Sequence, residues 1–265
     1  SIFKNNIVSN DKVGIILQSI KDGSNEAQYF HLFGDPAMKL PMPKDTLTSL
    51  SINPDTLKTL EVGSFLGIQD FINVSGDGFL ILKDASRSVT REYEISSQTH
   101  SLSFTMPGPT LFRGQFTFSG QTLQSNFRVP QDISYSNQNA SLIIYIYDNV
   151  NEGISSYNNI YLAGGQSSQD NLGPAIFFEN FAGQRFENGD HFPKNETLII
   201  RLNDPLGINL TNEIGHEITI NNLDNLSLDV VTDNFYYDKN SITTGTLEYP
   251  VNDNFINLKV KAWDN

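Results

Sequence analysis

The sequence predicts a mainly β protein in which two antiparallel β-sandwiches follow one another, preceded by a short α/β segment. From about residue 46, apolar and polar residues alternate with a period of two, which is typical of strands with one buried face. Glycine, proline, asparagine and aspartate separate these runs at short intervals, as in antiparallel strands joined by turns. A length of 265 residues with 38% hydrophobic residues is enough for two cores.

The α/β segment covers residues 1–45, and its clearest element is a helix over residues 11–21. Four apolar residues recur there at spacings of three and four and form one helix face: Val13, Ile16, Leu17 and Ile20. Asp11 suits the start of this helix, and Gly23 suits its end. Because one helix and one short strand bury little apolar surface, we expect residues 1–45 to be a fragment of a larger α/β unit.

A turn and a short extended exit end this segment within residues 30–43 (FHLFGDPAMKLPMP). Gly34 can adopt a positive φ, Asp35 can accept a hydrogen bond from nearby backbone, and Pro36 fixes its own φ. The sequence therefore predicts a domain boundary here, with the rest of the α/β domain lying upstream.

The first sandwich is predicted over residues 46–165 and the second over residues 172–265, with a polar linker between them. The predicted strands of the first sandwich lie at 79–82, 90–95, 114–120, 123–129 and 140–148. Those of the second lie at 173–178, 196–202, 217–220, 244–249 and 255–264.

Composition excludes several classes of function. A net charge of −13 argues against a surface that binds nucleic-acid phosphates or anionic lipid. The absence of cysteine excludes disulfides, thiolate metal sites and a cysteine nucleophile within this chain. No phosphate-binding glycine loop and no serine-hydrolase elbow occurs. The sequence thus predicts no catalytic, cofactor-binding or metal-binding residue.

The remaining polar candidates have ordinary structural explanations. The four histidines, His31, His100, His191 and His216, are far apart in sequence. Two acidic loops, 148–153 and 233–238, offer oxygen ligands for calcium but lack EF-hand spacing, and solvated turns explain them as well. Five Asn-x-Ser/Thr sequons fit chance in an asparagine-rich chain: Asn73, Asn139, Asn195, Asn209 and Asn225. The aromatic run 235–237 is either an exposed binding loop or part of the core.

Residues 30–43 resemble the exit segment of the gingipain-like C25 peptidases, which have a caspase-like fold. Further segments resemble, in the same order, the β-sandwich region of the PorU-like sortases of the type IX secretion system. These segments are 110–114 (TLFRG), 127–135 (FRVPQDISY), 163–165 (AGG), 207–211 (GINLT), 214–218 (IGHEI), 244–250 (TGTLEYP) and 258–264 (LKVKAWD).

This resemblance implies that both sandwiches are immunoglobulin-like and that residues 1–45 are the C-terminal remnant of a caspase-like domain. It implies an exported cell-surface protein of a Gram-negative, Bacteroidetes-type bacterium. Such sortases cleave the C-terminal signal domain of secreted cargo and join the new end to lipopolysaccharide. Their catalytic cysteine and histidine lie in the upstream caspase-like domain, so no residue here inherits either role. The implied partners are that domain, cargo signal domains and outer-membrane components such as PorV.

Two functions of different classes follow for this chain. In the first, the sandwiches support the catalytic domain or dock its partners. The segment 111–114 and the loop around His216 are then candidates, although turns explain both. In the second, the chain consists of adhesin-like modules that contact glycan or protein through residues 235–237. The helix at the start favours the first, because a free-standing adhesin has no need of it.

Overall fold

The computed structural model describes residues 12–22, 31–32, 34–39, 43–134, 139–165, 170, 172–213, 215–251 and 257–265. The chain divides into two compact units, Ser1–Lys44 and Asp45–Asn265. The described part of the chain is mainly β, with several sheets, as the alternating pattern predicts.

The first unit contains the predicted helix, α1 (Val13–Asp22). Ile16 is buried on the apolar face of α1, and Lys21 lies in its last turn. The backbone N–H of Gly14 donates to the carbonyl of Pro36 over 2.9 Å. The Asp35 carboxylate accepts a hydrogen bond from the backbone N–H two residues ahead, as predicted for this turn. Asp11, Gly23 and the side chain of Ile20 lie outside the described residues.

The second unit contains all eighteen described strands. The first ten are β1 (Ser49–Asn53), β2 (Thr56–Lys58), β3 (Val62–Ile68), β4 (Ser75–Lys83), β5 (Arg87–Ile95), β6 (Gln98–Met106), β7 (Thr110–Ser119), β8 (Thr122–Arg128), β9 (Ala140–Tyr147) and β10 (Glu152–Ala163). The others are β11 (Ala175–Glu179), β12 (Arg185–Phe186), β13 (Glu196–Asn203), β14 (Thr219–Asn222), β15 (Ser227–Val230), β16 (Tyr236–Tyr237), β17 (Thr244–Val251) and β18 (Leu258–Lys261). A short 3-10 helix, Thr232–Asn234, precedes β16.

The strands form one long sheet and three small ones. The long sheet has ten strands in the order β12-β11-β13-β17-β16-β7-β4-β9-β10-β2. Two three-stranded sheets have the orders β1-β3-β8 and β15-β14-β18, and β5 pairs with β6 in a two-stranded sheet. Most pairs are antiparallel, whereas β16 runs parallel to β7 and β2 runs parallel to β10.

Apolar side chains between the sheets produce the sandwich packing. Phe65 of β3 packs edge-to-face on Phe116 of β7, with ring centroids 5.2 Å apart. In the later part of the chain, Ile220 of β14 and Leu247 of β17 are fully buried members of the same core cluster. In the strands that line this core, one face is buried, which is the physical basis of the period-two pattern.

The early and late strands meet where β16 lies beside β7, with Tyr237 opposite Gly114. The rings of Tyr237 and Phe112 are stacked, 4.4 Å apart and 5° from parallel. The hydroxyl of Tyr237 accepts a hydrogen bond from the Ile208 N–H and donates to the Ile208 carbonyl, and burial raises the pKa of Tyr237. The ten-stranded sheet thus continues through both predicted sandwiches, and their division at residues 165–172 stays a prediction.

Candidate functional site

The strands β5 and β6 form a long hairpin that we call the β-arm (residues 87–106). Its two strands of nine residues pair in full register from Arg87 opposite Met106 to Ile95 opposite Gln98. At about 3.4 Å per residue, each strand is about 30 Å long. The β-arm pairs with no other strand among the described residues.

The two faces of the β-arm differ in chemistry. Residues that lie opposite one another in an antiparallel pair project to the same face, so the register assigns every side chain. One face carries Val89, Tyr93, Ile95, Leu102, Phe104 and Met106, together with Arg87, Arg91, Gln98 and His100. The other carries Ser88, Thr90, Glu92, Glu94, Thr99, Ser101, Ser103 and Thr105. The β-arm is therefore amphipathic.

The apolar face of the β-arm is exposed. The exposed fractions are 55% for Ile95, 55% for Leu102, 46% for Tyr93 and 38% for Phe104. Isolated two-stranded hairpins are marginally stable in water. Contiguous apolar side chains on such an element are characteristic of an interaction surface.

The tip of the β-arm explains why the sequence predicts β5 but not the hairpin. Ser96 and Ser97 connect the strands in two residues, and both have positive φ angles, 51° and 63°. This is the pattern of a type I′ turn, whose usual sequence signal is Asn-Gly or Asp-Gly. A Ser-Ser turn lacks that signal.

The segments 84–86 and 107–109 connect the β-arm to β4 and β7, and we call them the root. The root is anchored by Asp84, which is buried. Its carboxylate accepts hydrogen bonds from the backbone N–H of Ala85 and of Ser134, both over 2.6 Å. Burial raises the pKa of Asp84, and the two N–H donors oppose that effect. A Cβ at Gly108 would lie 2.2 Å from the Asp84 carbonyl oxygen, so the other side of the root requires glycine.

A polar cleft of about 800 Å³ lies beside this root. Its charged lining residues are Lys83, Asp84, Arg87, Asp132, Glu213 and Asp233. Four carboxylates and two cations give the cleft an acidic character. They lie at the end of β4, on the β-arm and on the segments before β9, β14 and β16, which are remote from one another in sequence, so no local motif predicts the cleft.

Arg113 joins the early strands to the late ones. It lies inside β7 and is only 8% exposed, so the interpretation of segment 111–114 as a turn is wrong. Its guanidinium donates to the carbonyls of Thr232 and Asp233 and forms a 2.8 Å ion pair with the Asp233 carboxylate. A third, longer contact reaches the Phe235 carbonyl at 3.5 Å. The resemblance motif therefore has a structural role.

His216 takes part in a second link between the two groups of strands. Its Nδ1 lies 2.8 Å from the Asp132 carboxylate, which also accepts a 2.8 Å hydrogen bond from the Asn209 side chain. The imidazole lies beside the Trp263 ring, with centroids 5.4 Å apart. Each of these four residues belongs to a segment that the resemblance singled out.

The fold does not assemble the other three histidines into one site, and it does not cluster the asparagines of the sequons. His31 is an exposed residue of the first unit, His100 stacks on Tyr93 in the β-arm, and His191 is exposed. Asn209 is buried and used in packing. The remaining sequon residues are at least partly exposed: Asn73, Asn139, Asn195 and Asn225.

The two acidic loops use their carboxylates within the protein. Asp148 accepts hydrogen bonds from the backbone N–H groups of Asn151 and Val150, which lower its pKa. Asp238 pairs with Arg201 over 2.6 Å. Among the described residues, no group of three or more histidine, aspartate or glutamate side chains is placed to hold a metal ion.

The aromatic run 235–237 belongs mainly to the core. Phe235 and Tyr237 are buried, which rules out an exposed loop, and only Tyr236 is half-exposed. Phe235 packs edge-to-face on Tyr237, with centroids 5.1 Å apart. The core-packing interpretation of this run is confirmed for those two residues.

No protein-family model matches the chain, and no curated protein sequence matches it. Among solved structures, the chain is similar to dimeric latent PorU from Porphyromonas gingivalis, with 21% identity and a TM-score of 0.47. That match covers 96% of this chain and 26% of PorU, so the chain spans about a quarter of PorU's length. The chain is also similar to the sporulation control protein Spo0M from Bacillus subtilis, with 13% identity and a TM-score of 0.25. That match covers 59% of this chain and 66% of the Spo0M chain. No helix within the described ranges is long and apolar enough to span a membrane.

Proposed function

We propose that this chain is the non-catalytic C-terminal β-sandwich region of a cell-surface C25-family cysteine peptidase and sortase. The parent protein would process cargo of the type IX secretion system and attach it to lipopolysaccharide. The order of the sequence segments that resemble PorU-like sortases supports this assignment. The chain has no cysteine, so the catalytic thiol of such an enzyme belongs to another part of the parent protein.

The role that we propose for the region is docking, and the exposed apolar face of the β-arm carries this proposal. A solvent-exposed hairpin that shows Ile95, Leu102 and Phe104 on one face gains stability when a partner covers that face. Arg87 and Arg91 lie on the same face, so the partner surface would be apolar with carboxylates at its rim.

We name the caspase-like domain as the partner. The resemblance implies that this domain belongs to the same polypeptide, where a tether produces a high effective concentration and makes a modest apolar contact sufficient. Cargo signal domains and PorV are the other partners that the resemblance implies, and they enter the test as competing outcomes.

The test is a binding measurement between the purified chain and a separately prepared caspase-like domain, cargo signal domain or PorV. We expect the caspase-like domain to bind the wild type and to lose about tenfold in affinity for the double variant L102S/F104S. The matched control is T90A/S103A, which changes the polar face at the same depth of the β-arm. Equal affinity of both variants, or binding to cargo or PorV alone, would contradict the proposal.

The adhesin hypothesis depends on residues 235–237 as an exposed surface. Burial of Phe235 and Tyr237 removes two of its three contact residues. The docking role is therefore the better supported of the two.

A further inference from the structure

A cluster of aromatic rings lies on the outer face of the ten-stranded sheet, away from the small sheets. We call Tyr147, Phe79 and Tyr236 the aromatic row. The Phe79 ring lies 5.9 Å from the Tyr147 ring and is 13° from parallel with it, and it lies 5.7 Å from the Tyr236 ring, which it meets edge-to-face at 69°. Tyr145 lies beside the row, 5.6 Å from Tyr147. All four rings are half-exposed, whereas the neighbouring residues along each strand are buried in the core.

Contacts within the sheet hold these rings in place. The Tyr145 hydroxyl donates a 2.7 Å hydrogen bond to Glu152, which raises the pKa of Tyr145 to about 12 and keeps the phenol protonated. The guanidinium of Arg113, fixed by the 3-10 helix carbonyls, lies 5.4 Å from the Tyr236 ring centroid. A ligand would therefore meet an ordered surface, which lowers the entropy cost of binding.

A small polar cavity lies at each end of the row. The first, of about 300 Å³, is lined by Tyr147 together with Asp77, Asp148 and Asn149. The second, of about 350 Å³, is lined by Tyr236 together with Gln115 and Glu248. Each cavity combines a tyrosine ring of the row with carboxylate and amide groups that accept or donate hydrogen bonds.

This combination matches the chemistry of a sugar. The C–H groups of a pyranose carry partial positive charge and pack on the negative face of an aromatic ring, while its hydroxyls bond to carboxylates and amides. Carboxylates at both ends disfavour an anionic ligand, and the net charge of −13 adds to that effect. At the cavity beside Tyr147, the Lys239 ammonium group already pairs with the Asp77 carboxylate over 2.8 Å, so that carboxylate does not call for a cationic ligand.

We infer that the aromatic row and its two flanking cavities form a binding site for a neutral oligosaccharide. One sugar unit would pack on Tyr147 and another on Tyr236, where each would also bond to the polar groups of the adjoining cavity, and Phe79 would hold the two tyrosine rings in place between them. This site is independent of the β-arm and of the docking role proposed for it.

The test uses the whole chain and isothermal titration calorimetry with neutral tetrasaccharides of glucose (α- and β-linked), mannose, xylose and N-acetylglucosamine. We expect at least one of them to bind, and F79A and Y236A each to weaken that binding by about tenfold. F181A is the matched control, since Phe181 is 72% exposed and lies outside the row. Thermal unfolding of each variant verifies that it is folded, and Y147A replaces any variant that is not.

Three outcomes would overturn the inference. The first is that no member of the panel binds at millimolar concentration. The second is that F79A and Y236A bind as tightly as F181A. The third is that tetragalacturonate, an anionic tetrasaccharide, or tetramethylammonium, a cation for aromatic rings, binds more tightly than every neutral sugar.

Discussion

At the scale of single residues, Arg113 connects the early strands to the late ones through one buried side chain. Its guanidinium is buried and serves carbonyls of the segment 232–235 across the join between β7 and β16. The R113A variant removes the buried guanidinium that donates to those carbonyls and pairs with Asp233. We expect it to lower the free energy of unfolding by about 3 kcal/mol.

Two control variants identify the cause of that loss, measured by urea unfolding. R185A removes an ion pair with Glu179 whose arginine side chain is 62% exposed, so we expect a loss below about 1 kcal/mol. R113K keeps the charge but lacks the planar set of donors, and should remain close to R113A. A loss for R113A no larger than that for R185A would show that the join does not depend on this side chain.

At the scale of elements, the β-arm is connected to the body only through its root in the described contacts. Its strands pair with each other, and nearly all its side chains are exposed. Replacing residues 88–105 by a short glycine-containing turn should therefore change the free energy of unfolding of the remaining protein by less than about 1 kcal/mol.

Thermal unfolding monitored by circular dichroism provides the measurement for this excision. The excised protein keeps Asp84 and Gly108, whose contacts hold the root together. A large drop in Tm would mean that the β-arm stabilises the body through contacts beyond its root.

At the scale of the whole molecule, one buried cluster extends through the early and the late strands of the second unit. Tyr237 of β16 stacks on Phe112 of β7. Separating the late strands from the early ones would therefore expose core side chains of both groups. We expect residues 46–265 to unfold in a single cooperative transition, with equal calorimetric and van't Hoff enthalpies.

The corresponding fragment experiment uses residues 172–265 alone. Without β7, the fragment exposes Phe235 and Tyr237, and we expect it to lack a cooperative thermal transition. Two separate transitions in residues 46–265, or a cooperatively folded fragment, would instead support two independent sandwiches with a boundary near residues 165–172.

The sequence by itself determined the local structure and the chemistry that the chain lacks. The 3.6-residue period predicted α1, and runs of β-branched, apolar and aromatic residues between turn residues predicted strands such as β4, β9 and β13. The lack of cysteine excluded a thiol mechanism without any structure.

Only the tertiary structure decided which residues meet. The Ser96-Ser97 turn carries no hairpin signal, and the pairing of β16 with β7 joins residues more than one hundred positions apart. Phe79, Tyr147 and Tyr236 likewise come from three separate strands. Periodicity reports which side chains share a face of a strand or helix but not what covers that face, so only the fold could show the join, the cleft and the aromatic row.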